Sequence, residues 1–297
     1  MTILEMRDIH RSFEPGVPVL EGVDFSVDPG EVVGLLGRNG AGKTTLLHIA
    51  MGMLHQQGGS VKVFGLDPHR QPVDVKRRIG FVSENQILPG FLKVHEVIEL
   101  HRSLFPSWDD HMSRELAERF HIRPKARIKT LSKGQARQVA LLCALCHKPE
   151  LLLLDEPAGG LDALARREFL ETSIQALSDT GTTIVFSSHY LSDVERLAGR
   201  VVMLHASRVL IDNSIDELHE SFSIALVPHR PQGTSGALLA LPECLGVRVR
   251  SDAVHAVFRI DPDDACALIT EKLGITDALC RTAGLEEMFI EIAGGER

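Results

Sequence analysis

The sequence predicts an α/β fold: a mostly parallel, helix-covered sheet, preceded by a small antiparallel sheet, interrupted by a helical insert and followed by a small α+β domain. Three observations carry that expectation. Short, largely apolar runs stand at Val32–Leu36, Leu151–Leu154, 183–186 and 201–204, and strands buried on both faces read this way. Between them lie stretches with helical spacing, such as Leu170, Ile174 and Leu177, and strands alternating with helices build parallel sheets. Beyond about residue 215 the composition changes, with turn formers concentrated in VPHRPQGTSG at 227–236.

The first element is a half-buried strand of the small antiparallel sheet: Val23, Phe25 and Val27 alternate with Asp24, Ser26 and Asp28 before Pro29-Gly30 breaks the pattern. The run Val32–Leu36 then leads into a glycine-rich loop and a helix from about Lys43. From about 85 to 150 the pattern is helical without clear strands, which marks a helical subdomain inserted into the α/β core. Apolar residues alternate again near 247–249 and 254–260, and a helix follows that Asp263 can cap. The expected division is a large domain at 1–220, holding the insert, and a small α+β domain at 221–297.

Composition narrows the function classes. Of 297 residues, 44% are hydrophobic and 24% charged, the balance of an ordinary globular chain. The longest apolar runs, VALLCALC at 139–146 and LLLL at 151–154, fall far short of the roughly 18–20 residues that cross a bilayer, so any membrane-spanning part is expected on another chain. The start MTILEMRDIHRSFEPG carries charges where a signal peptide needs an apolar stretch, and a cytoplasmic location is expected. Five cysteines without regular spacing fit a reducing compartment, and Cys143 and Cys146 read as buried small hydrophobes within a helix. The net charge of −8, with no stripe of Lys and Arg, argues against nucleic acid as the main partner. Fourteen scattered histidines form no metal-ligand cluster.

The chemistry begins in GLLGRNGAGKTT at 34–45, where G-x-x-x-x-G-K-[ST] follows a predicted strand and opens a predicted helix. Between Gly37 and Gly42 the loop runs through Arg38, Asn39, Gly40 and Ala41. Gly37, Gly40 and Gly42 let successive backbone N–H groups face phosphate oxygens, and the helix N-terminus adds a favourable dipole. Lys43 is placed to neutralise the β- and γ-phosphates, the Thr44 hydroxyl to ligate Mg²⁺, and Thr45 to add a donor. A mere glycine turn calls for no Lys-Thr pair at that offset. The pair Asp155-Glu156 ends the apolar run ELLLL, at the edge where such sheets bind ligands. Asp155 suits a Mg²⁺ partner, and Glu156 a carboxylate that orients and deprotonates an attacking water.

Leu131-Ser132-Lys133-Gly134-Gln135 precedes an apolar helical run, and Ser132 with Gln135 makes an S-x-x-Q capping box, so this is a helix start able to meet an anion. Alone it would be a well-capped helix and nothing more. With the two preceding motifs it resembles the ATP-binding-cassette (ABC) family, whose signature loop reads LSGGQ; Lys133 stands in place of the first glycine. The resemblance covers about residues 3–212. It implies an ATP-hydrolysing fold in which Ser132, Gly134 and Gln135 close on ATP held by a second cassette, and hence a dimer.

Further positions match the family one by one. Phe13 stands where an aromatic ring stacks on adenine, although core packing accounts for it equally well. Gly160-Leu161-Asp162 follows Glu156 at the spacing of a loop that communicates across the dimer, and His189 matches the histidine that contacts the γ-phosphate. The glutamine that touches Mg²⁺ in the family aligns with Glu84, while Gln86 lies two residues on, and both remain open for the role. FPSWDD at 105–110 resembles an exporter-type branch with separately encoded permeases; Trp108 marks either the docking surface or internal packing. GLEEMFIEI resembles the ending of many exporter ATPases.

What the resemblance implies is the ATPase subunit of a transporter, using ATP and Mg²⁺. It would pair with itself or another cassette and work with a separate permease on the inner face of the cell membrane, with export as the expected direction. The alternative is a soluble cassette ATPase acting on a nucleic-acid or ribosomal partner. Such proteins carry long coiled coils in the core or two cassettes in one chain, and neither feature is in this sequence.

Overall fold

The chain divides between Asp212 and Asn213 into two units. The computed structural model describes residues 2–84, 88–157, 159, 161, 163–178, 181–228, 233–251 and 253–294. The division falls earlier than 220/221 because the helix at Ile215–Ser221, with its cap Ser214, belongs to the second unit.

The first unit runs β1 (Leu4–Glu14), β2 (Val17–Val27), β3 (Val32–Leu36), α1 (Lys43–Ala50), β4 (Gly58–Val63), α2 (Pro72–Lys76), β5 (Ile79–Val82), α3 (Val94–Leu104), α4 (Asp110–Arg119) and α5 (Lys133–Leu145). It continues with β6 (Leu151–Leu154), α6 (Ala163–Ser178), β7 (Thr183–Ser188), α7 (Leu191–Leu197), β8 (Arg200–His205) and β9 (Arg208–Ser214), whose end crosses the boundary. Strands β2-β1-β4 form an antiparallel sheet, and a second sheet has the order β5-β6-β7-β3-β8-β9, parallel from β5 to β8. Ala206 and Ser207 turn β8 back into β9, both with positive φ, as a two-residue turn matched to strand twist requires.

Burial explains the apolar runs. All four leucines of β6 are buried, which a strand in the middle of a helix-covered sheet demands. The main core joins Val23, Phe25 and Val27 of β2 to Leu35 of β3, Leu46 and Leu47 of α1, Leu153 of β6 and Val185 of β7. On β3, Gly34 leaves room for α7: a Cβ there would stand 2.4 Å from Val194 Cγ1. Between 85 and 150 the described residues form α3, α4, a short 3₁₀ turn at Ile128–Thr130 and α5, the helical subdomain expected. Trp108 sits half-buried in the turn before α4, and its indole Nε1 is buried without a hydrogen-bond partner. Cys143 and Cys146 are buried in and just after α5.

The second unit runs α8 (Ile215–Ser221), β10 (Ser223–Pro228), α9 (Thr234–Leu239), β11 (Cys244–Val249), β12 (Ala253–Phe258), α10 (Pro262–Leu273), β13 (Leu279–Thr282) and α11 (Leu285–Gly294). Its antiparallel sheet has the order β11-β12-β10-β13. With a helix after the first and third strands, this is the βαββαβ ferredoxin-like arrangement. Ala225, Val227, Val247 and Ala256 pack with Leu238 of α9 and Ile269 of α10 on one face. On the other face α11 approaches so closely that a Cβ at Gly246 would lie 3.2 Å from Ile292 Cα. The residue capping α10 is Asp261, which accepts from the Asp263 and Asp264 amides; Asp263, expected as the cap, lies inside the first turn after Pro262. Among the described residues no helix is long and apolar enough to cross a membrane.

Candidate functional site

Parallel strands deliver their C-terminal ends to one sheet edge, so the residues that follow β5, β6, β7 and β3 are gathered there by topology. After β3 the chain turns through Gly37–Gly42 into α1, whose N-terminus no side chain caps. Gly42, at φ 102°, is required: a Cβ there would come within 2.9 Å of the Val19 carbonyl oxygen and 2.7 Å of Leu20 Cδ2. The Lys43 ammonium is buried, donates to the Gly37 carbonyl at 2.7 Å and lies 3.3 Å from Glu156 Oε1.

A chain of short contacts fixes the two carboxylates. Asp155 is only 2% exposed. Its Oδ1 accepts from Thr44 Oγ1 at 3.0 Å and from Ser187 Oγ at 2.9 Å. The Glu156 amide donates to the same Ser187 Oγ at 2.8 Å, so one hydroxyl at the end of β7 holds side chain and backbone of neighbouring residues. His189 Nδ1 lies 2.7 Å from Glu156 Oε2. Glu156 sits at φ 45°, in the left-handed region that non-glycine residues avoid.

Behind His189 a stack supports the ring. Tyr190 lies 4.1 Å from it between centroids, and the Arg166 guanidinium covers Tyr190 at 3.9 Å while pairing with Asp193 at 3.1 Å. Burial pushes the Asp193 carboxyl up despite the pull of Arg166, Arg196 and His189.

A cavity of about 350 Å³ opens over the loop, lined by Phe13, Val19, Asn39, Gly40, Ala41, Gly42, Lys43, Thr44, Thr45, Glu84 and Glu156. Phe13 is 59% exposed at its mouth and is no core residue. Glu84 borders the cavity, while Gln86, its rival, lies outside the described residues, as do Gly160 and Asp162. Ser132, Gly134 and Gln135 do not line this cavity. They open α5, where Gln135 N donates to Ser132 Oγ at 3.2 Å and Ser132 N to Gln135 Oε1 at 3.0 Å, the reciprocal capping box.

The donor set suits Mg²⁺, which binds hard oxygens, takes few protein ligands and completes its shell with water and phosphate. The exposed Thr44 hydroxyl beside the Asp155 carboxylate offers that edge. Sequence reasoning missed Ser187 and Arg137. The serine was visible only as a polar residue ending an apolar strand; Arg137, one turn into α5, donates to the carbonyls of Glu84 (2.9 Å) and Gly159.

Comparisons with known proteins show the family and the fold. Residues 20–159 match the family described as ABC transporter. The daunorubicin resistance ATP-binding protein DrrA3 of Streptomyces coeruleorubidus is 31% identical over 299 residues, with 94% of this chain and 92% of that protein covered. A solved structure described as the ATP-binding subunit of an ABC transporter superposes with a TM-score of 0.66 at 29% identity, covering 73% of this chain and 92% of the other. At 22% identity, TM-score 0.63 and coverage of 71% and 98%, the dimeric cassette MJ0796 bound to ADP and Pi shares the fold.

Proposed function

The chain belongs to the ABC transporter family as an ATP-binding subunit that hydrolyses ATP to power transport, and from that premise we propose how its residues divide the work. The observation that supports the division is the convergence of Lys43, Asp155, Glu156 and His189 on one sheet edge beside the loop Gly37–Gly42.

In this reading the amides of Gly40, Gly42, Thr44 and Thr45 cradle the phosphates, with Arg38, Asn39 and Ala41 shaping the turn, and the dipole of α1 adds positive potential. Lys43 neutralises the γ-phosphate, and Phe13 supplies a flat surface for the base. Thr44, Asp155 and the edge residue Glu84 would hold Mg²⁺, which would supply positive charge to offset that of the phosphate oxygens. Glu156 orients the attacking water and takes its proton, and His189 fixes the carboxylate. Ser132, Gly134 and Gln135 face outward from α5 and complete the site on a second cassette. Leu161 supports that loop, since a Cβ at Gly134 would stand 3.0 Å from Leu161 Cδ2.

We infer a homodimer or a pair with a related cassette, working with a separate permease on the inner face of the cell membrane, with no role for nucleic acid. A cavity of about 270 Å³ lined by Met51, Ile79, Phe81, Leu88, Phe105 and His147 opens beside exposed Leu104, an apolar seat for that partner. The relatives named for drug resistance favour export as the direction. The test is Mg²⁺-dependent ATP hydrolysis by the purified chain, followed by identification of chains that co-purify from solubilised membranes. A permease among them supports the reading; ribosomes or DNA in its place would overturn the partner assignment.

A further inference from the structure

Arg137 is the least explained charge near the site. It sits on α5 five residues beyond Ser132, is 9% exposed, and has no carboxylate within ion-pair distance among the described residues. Burying a guanidinium is costly unless its donors are satisfied. Two of its five N–H donors meet backbone carbonyls here, of Glu84 (2.9 Å) and of Gly159. Glu84 follows β5 and borders the cavity, and the Gly159 amide donates back to the Glu156 carbonyl at 3.1 Å. One planar fork thus fastens the helix that begins with Ser132 to both loops that carry the carboxylates. Lysine, a single ammonium on a flexible stem, cannot reproduce that geometry. Burial lowers the basicity of the guanidinium, partly offset by Glu84, and it stays charged throughout.

We propose that Arg137 is a positioning residue for ATP hydrolysis: it locks the loops of Glu84 and Glu156 to the first turns of α5, so that movement of α5 against a partner cassette sets the geometry at this chain's own γ-phosphate. The inference rests on the assignment of Glu84 and Glu156 to the ATP site. Its requirement is a rigid link between elements, without contact of Arg137 with nucleotide.

The experiment uses full-length Arg137→Met, which keeps the apolar stem and removes the buried charge, alongside Arg137→Lys. The expected result is a kcat reduced by about tenfold or more in Arg137→Met, as displaced catalytic groups produce. KM and the affinity for a fluorescent ATP analogue stay within about twofold, the mark of an interaction that acts in the transition state. Amide exchange should rise at 82–84, at 156 and at 159 while β3 and β6 keep their protection, and Arg137→Lys should recover part of the activity. An unchanged kcat in Arg137→Met overturns the proposal. So does a fall in kcat accompanied by raised exchange in β3 and β6, which would make Arg137 a folding residue. A wild-type chain without ATPase activity would instead refute the assignment of the site.

Discussion

His189 holds Glu156 through a 2.7 Å contact between the imidazole Nδ1 and Oε2, while Lys43 approaches Oε1 of the same carboxylate at 3.3 Å. Each oxygen is therefore tied to a different element, the residue after β7 and the start of α1. A carboxylate held this way is oriented for one task, and substitutions on either side of it should separate binding from turnover.

Replacing Glu156 with Gln keeps shape and removes the base. ATP turnover should fall by about 10²-fold or more, and an ATP-bound dimer should accumulate on gel filtration. Undiminished turnover in this variant would take the role of base away from Glu156.

Replacing His189 with Ala leaves Oε2 without its contact. We expect kcat to fall about 10- to 100-fold with KM for ATP nearly unchanged. A raised KM with intact kcat would show that the histidine binds ground-state nucleotide rather than orienting Glu156.

At Gly42 the backbone takes φ 102°, and a Cβ would meet the Val19 carbonyl at 2.9 Å. Gly42→Ala should cost about 1–3 kcal/mol of stability and weaken nucleotide binding, since the loop must open to relieve the clash. Urea unfolding with and without ATP reads both effects; wild-type stability and affinity together would contradict the geometry.

His147 gives a pH dependence. Its ring is buried, with Nδ1 3.3 Å from the Cys143 carbonyl and Nε2 3.1 Å from that of Ile79. Burial lowers its pKa below the ordinary histidine value of 6.5, outweighing the two carbonyls, which favour the charged ring. The folded chain thus prefers neutral His147. The stability this contributes is complete above pH 6.5 and is lost as the pH falls through the lower folded-state value. Melting temperature should drop between pH 7.5 and 5.5, and the slope should flatten in His147→Gln. An identical slope in the variant would assign the effect to other groups.

Much of this was legible in the sequence for a local reason. The spacing from Gly37 to Thr44 dictates a loop and a helix start, and the leucines before Asp155 dictate a strand that ends at the sheet edge. What stayed hidden depends on contacts distant along the chain. Ser187 matters only because β7 lies beside β6, and an arginine one turn into a helix reads as solvated until α5 is packed against the loops after β5 and β6. The strand β4, GGSVKV, has too few apolar positions to announce itself and is secured by pairing with β1. Asp261 rather than Asp263 caps α10, and the signal that decides between them is the proline that follows Asp261.

The left-handed backbone of Glu156 sets selection against itself. A residue with a Cβ is strained at φ 45° by about 1–2 kcal/mol; glycine would remove that strain, and asparagine would lessen it through local side-chain hydrogen bonding. A library of this chain screened for heat resistance alone should therefore drift toward those residues at 156, and its hardiest survivors would no longer turn over ATP.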